Sequence, residues 1–103
     1  MSEPPFTALD VLYRAYTIVA SGSLKDDEHG PMCVWCAIAQ AKSELDKIHD
    51  VPMPPFWDRL SPSDMPLVEA RSCLRAWEGV DMAMLTQEEA KSILDQASVL
   101  VIG

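Results

Sequence analysis

The sequence predicts a small all-α domain of four helices, with a proline-rich strap between the second and third. Three observations predict it. Apolar residues recur at steps of three and four in four separate windows. Capping signals open the first and last of these windows. The prolines gather between the middle two: Pro52, Pro54, Pro55, Pro62 and Pro66, out of eight in the chain, fall within residues 50–66. A chain of 103 residues has room for one core, so residues 1–103 read as a single helical domain.

The elements follow in order. Residues 1–6 form a proline-containing lead. Thr7 can cap the first helix, with Asp10 three residues on in a variant of the capping box. Leu9, Val11, Leu12, Ala15, Tyr16, Ile18 and Val19 then mark a broad apolar stripe. Gly22 is free to take the positive φ that ends a helix, so helix 1 is expected over 8–21. Ser23 to Met32 reads as a polar loop. Helix 2 is expected over 33–48, with Val34, Ala37, Ile38, Ala41, Leu45 and Ile48 as its seam. Its small Ala37, Ala39 and Ala41 would let a neighbouring helix come close.

Proline donates no backbone hydrogen bond and turns the preceding residue away from helix, so residues 50–66 are expected to run extended. Val51, Met53, Phe56, Trp57 and Leu60 are too apolar for a wet linker. The strap is expected to lie across the helices with Phe56 and Trp57 as anchors; the alternative is an apolar strip offered to a partner. Helix 3 is expected over 64–78, with Leu67, Ala70, Leu74 and Trp77 inward and Gly79 as its stop. Met82, Met84 and Leu85 form a short apolar connection. Thr86-Gln87-Glu88-Glu89 is a full capping box, and helix 4 is expected over 87–99. Its stripe is Ala90, Ile93, Leu94, Ala97, Leu100 and Val101. The β-branched end, Ser98 to Ile102, is expected to fray or run extended.

Composition excludes several classes. No apolar run approaches the roughly 18–20 residues that span a bilayer, so no membrane partner is expected. The start, Met1-Ser2-Glu3-Pro4-Pro5, has neither a basic nor an apolar signal region, and three cysteines fit a reducing compartment; both point to the cytoplasm. Sixteen acids against eight bases give a net charge of −8, which repels nucleic-acid phosphates and argues against direct DNA or RNA binding. The same charge keeps a small domain soluble, and it would also suit an acidic inhibitor occupying a nucleic-acid site of a host enzyme.

Chemistry has one foothold, Cys33-x-x-Cys36 at the start of helix 2. In a redox reading, Cys33 is the nucleophile and Cys36 resolves the mixed disulfide. In a zinc reading, the two cysteines are one ligand pair, with His29, His49 or Cys73 completing the set. In a packing reading, they are small apolar core residues, as free cysteine commonly is. The packing reading is the one adopted, because no strand precedes Cys33 and no second ligand pair accompanies it. No catalytic residue, cofactor or metal is therefore assigned. No phosphate loop, nucleophile elbow or His-Glu-x-x-His appears.

The chain resembles a family of small uncharacterised helical proteins of bacteria and phages. The resemblance rests on Ala8-Leu9-x-x-Leu12-x-x-Ala15, on Gly30-x-x-Cys33-x-x-Cys36-Ala37-Ile38, and on Trp77 followed by Thr86-x-x-Glu89 and Ile93-Leu94-Asp95-x-Ala97. Cys36 stands where the family has glycine, and Glu78-Gly79 replaces an Asn-Asp turn. The resemblance implies a helical fold and no activity. The expectation for function is a non-enzymatic protein–protein interaction domain, phage or mobile-element borne, with Phe56 and Trp57 as interaction residues and self-association kept open because a small core gains from covering one more face.

Overall fold

A computed structural model of the chain describes residues 6–25, 32–50 and 64–102. Among these residues are four α-helices and no strand: α1 (Ala8–Ser21), α2 (Val34–Ile48), α3 (Asp64–Ser72) and α4 (Gln87–Ile102). Short 3-10 turns at Arg75–Trp77 and Met82–Met84 join α3 to α4. The all-α expectation holds. The strap, with Phe56 and Trp57, lies outside the described residues.

The first helix begins and ends where its signals stand. Thr7 Oγ1 accepts the Asp10 amide at 3.2 Å, and Asp10 Oδ2 accepts the Thr7 amide at 2.9 Å, a closed capping box. Phe6, just before the cap, and Val11, four positions into the helix, are both buried in the same core, the arrangement of a hydrophobic staple. Gly22 sits at φ 69, ψ 28, and its N–H closes on the last turn. The box that opens α4 also forms: Thr86 and Glu89 exchange two 3.2 Å bonds.

The core is organised on α1, which packs against all three other helices, whereas α2 and α4 only graze each other. Val11, Leu12, Ala15, Ile18 and Val19 of α1 meet Val34, Ala37, Ile38 and Ala41 of α2, Ala70 and Leu74, and Ala90, Leu94 and Ala97 of α4, all buried. Ala37 and Ala41 are the small residues that let α2 approach. Ser98 is the one buried polar side chain among the described residues, and its hydroxyl donates to Leu94 O at 2.9 Å.

Two glutamine amides clip the helices together. Gln87 Nε2, at the start of α4, donates to Val19 O at 3.0 Å and Ala20 O at 2.9 Å, carbonyls of the last turn of α1. Gln40 of α2 grips the chain leaving α1 as a peptide group would: its oxygen accepts the Lys25 amide at 2.8 Å and its Nε2 donates to Ser23 O at 2.9 Å. Arg14 Nη2 and Glu44 Oε1, 3.0 Å apart and partly shielded, add an ion pair between α1 and α2.

Four sequence expectations are corrected. Helix 3 ends at Ser72, not near 78. There the Ser72 hydroxyl turns back onto Val68 O, and bonds from Leu74 to Arg71 and from Trp77 to Leu74 tighten the chain into 3-10 form. Steps of three and four do not tell that form from an α-helix. Helix 4 runs on to Ile102. Val101 packs on the core, and such packing outweighs a propensity cost of at most about 0.7 kcal/mol per residue. Leu100 is exposed, because Ala97 and Val101 already define the inward stripe. Ile48 is exposed too: the step of four from Leu45 puts His49 on the α1 side, where its ring meets Phe6 at 5.6 Å between centroids.

Candidate functional site

α2 has two working faces. Val34, Ala37, Ile38, Ala41 and Leu45 form the core face. Cys33, Cys36, Gln40, Ser43 and Lys47 also advance by three and four, and they line a groove open to solvent, of about 970 Å³. The short side chains of Ala39 and Ser43 lower its floor. The turn at 78–83 supplies the opposite wall through Glu78, Val80, Asp81 and Ala83. Asp81 is held in place because its Oδ1 accepts the Ala83 amide at 3.1 Å. Trp35 divides this groove from a smaller recess of about 290 Å³ edged by Val68, Arg71 and Arg75.

Among the described residues the charges on the two walls differ. On the α2 side Lys25 and Lys47 line the groove, and Glu44 is drawn off by Arg14. On the turn side stand Glu78 and Asp81. No histidine is among the described lining residues, and the hydroxyl and thiol groups there are those of Cys33, Cys36 and Ser43.

The candidate cysteines are thus brought together at one end of the groove. Cys33 is the residue before α2, in extended conformation at φ −66, ψ 116; it is buried, and its side chain makes no cap hydrogen bond. Cys36 is half-buried. That reverses the order in the redox reading: Cys36 is the thiol within reach of solvent, and Cys33 lies behind it. The fuller zinc set is not assembled. His49 stands at the far end of α2, about 24 Å from Cys33 along the helix at 1.5 Å per residue. Cys73 belongs to the turn after α3, where burial, with the Glu69 carboxylate adding to it, pushes its thiol above the ordinary value. No group of three or more His, Cys, Asp or Glu side chains among the described residues could hold a metal ion. His29 lies outside them.

The groove itself was missed from the sequence. Its floor of Ala39, Gln40 and Ser43 carries no apolar stripe; the usable signal was the second three-and-four series on α2, beginning at Cys33. No protein-family model, curated protein or solved structure matches the chain. The resemblance to the bacterial and phage proteins therefore rests on its quoted motifs alone. No helix among the described residues is long and apolar enough to cross a membrane.

Proposed function

We propose that the protein is a non-enzymatic interaction domain that receives an amphipathic helix of a partner protein in the groove between α2 and the 78–83 turn. The observation that carries this reading is the second face of α2. From Cys33 to Lys47 it offers about 21 Å, four helical turns, with small residues where a backbone must come close. A helix laid in a groove anchors through positions i, i+3 or i+4, and i+7, which suits a floor of this length. The wall charges specify the occupant: acids along its edge facing Lys25 and Lys47, bases along its edge facing Glu78 and Asp81. Such an arrangement sets orientation and register more than affinity.

The test uses helical peptides selected from an amphipathic-helix library against the full chain, with affinities read by fluorescence anisotropy. Ala39→Arg fills the groove at an exposed helical position where arginine is well tolerated, so it leaves the melting temperature alone. It is expected to weaken the selected peptides by at least about tenfold, or 1.4 kcal/mol. Peptides that bind Ala39→Arg as tightly as wild type, or a selection that yields none, would sink the reading.

A further inference from the structure

We propose that Cys33 and Cys36 are a reversible dithiol–disulfide pair, oxidised by a low-molecular-weight disulfide that enters through the groove. The inference depends on the groove as a route and not on any partner occupying it.

Three observations carry it. First, the spacing is right. Cys33 immediately precedes α2 and Cys36 stands in its first turn, so helical geometry places their Cα atoms roughly 5 Å apart. Disulfides span Cα separations of about 4.4–6.8 Å. The extended backbone at Cys33 matters here: a residue outside the helix can rotate toward its neighbour without unwinding a turn. Second, both residues line the same groove, while their access to solvent differs. Cys33 is 2% exposed and Cys36 is intermediate, so an incoming reagent meets Cys36 first. Third, neither cysteine is held in a disulfide, and the remaining cysteine, Cys73, is not among the groove's lining residues.

The chemistry balances in two exchanges. The Cys36 thiolate, having given its proton to solvent, attacks one sulfur of the small disulfide. A mixed disulfide forms on Cys36, and the other half leaves as a thiolate that takes up a proton. The Cys33 thiolate then attacks the Cys36 sulfur, forms the Cys33–Cys36 bond and expels the second small thiol. The protein loses two thiol protons and two electrons, and the small disulfide takes them up to become two thiols. An excess of reduced thiol runs both steps backwards.

Oxidised glutathione is the probe. The full chain is incubated with it, quenched with acid, unfolded, alkylated with N-ethylmaleimide and mapped by mass spectrometry. The expected result is loss of two of the three alkylatable thiols. The peptide holding Cys33 and Cys36 is lighter by two hydrogens, Cys73 is alkylated, and reduced glutathione restores both thiols. Cys33→Ala should stop at a stable mixed disulfide on Cys36. Three outcomes on the wild-type chain alone would overturn the proposal, so it does not depend on the variant folding: all three thiols still alkylatable, a mixed disulfide on Cys36 that persists, or a bond to Cys73.

Discussion

Replacing Gln87 tests whether the clip between the ends of the chain is a working part of the fold. Gln87→Ala removes two hydrogen bonds, to Val19 O and Ala20 O. The two carbonyls are left in different positions. Val19 O keeps the Gly22 N–H at 3.2 Å, whereas Ala20 O accepts no other bond from a described residue. Each bond contributes about 0.5–1.5 kcal/mol net, and water can replace part of the exposed one, so the expected loss is about 1–2 kcal/mol. For a domain of this size that lowers the melting temperature by about 4–16 °C. Gln87→Glu sharpens the test, because it keeps the size, removes the donor and sets a carboxylate against two carbonyl oxygens. It should cost at least as much at pH 7, although an acid in the first turn of α4 gains about 0.3–1 kcal/mol from the helix dipole. Lowering the pH through the carboxyl titration range restores one O–H donor and part of the loss. A Gln87→Ala melt within error of wild type, or a Gln87→Glu protein more stable than wild type at pH 7, would refute the clip.

Three further outcomes are expected. Leu12→Ala, at a fully buried position on α1, should cost about 2–5 kcal/mol by urea denaturation, and a loss below 1 kcal/mol would mean that the core collapses around the gap. Gly22→Ala meets no atom within 4 Å, so only the left-handed backbone at φ 69 opposes it. A loss of about 1–2 kcal/mol follows, and a larger one would contradict the open surroundings. The Cys73 thiol is raised by burial and by Glu69, so it holds its proton longer folded than unfolded and contributes stability below the ordinary value of 9.0 that fades as pH rises past it. Wild type should therefore lose more stability than Cys73→Ser on going from pH 8 to pH 10; equal losses would dispose of the shift.

What the sequence disclosed follows the physics of each signal. The starts of α1 and α4 were legible because a capping box is local: Thr7 with Asp10, and Thr86 with Glu89, reach only their own first turn. The end of α1 was legible because positive φ falls to Gly22. The end of α3 was not, because Leu74 and Trp77 keep a step of three that suits a 3-10 turn as well as an α-helix. Gln40 and Gln87 were illegible for another reason. Their partners lie 15 to 17 and 67 to 68 residues away, and nothing about a glutamine announces a distant carbonyl. The pairing of Cys33 with Cys36 could be read as a spacing, but which thiol faces outward depends on how α2 turns against α1. The groove needed the 78–83 wall, which only tertiary structure brings to α2.

The central place of α1 has a consequence for how the chain comes to be folded. Synthesis makes α1 well before α4, yet these two lie side by side, joined by Gln87 and by Lys91 placed 5.8 Å above the Tyr16 ring. Until residues 87–102 leave the ribosome, the flank of α1 that carries Tyr16 lacks the cover of α4, and α1 has only α2 and α3 to pack against. At about 5–20 residues per second the interval between the two helices lasts several seconds, long enough for an uncovered apolar flank to find another chain.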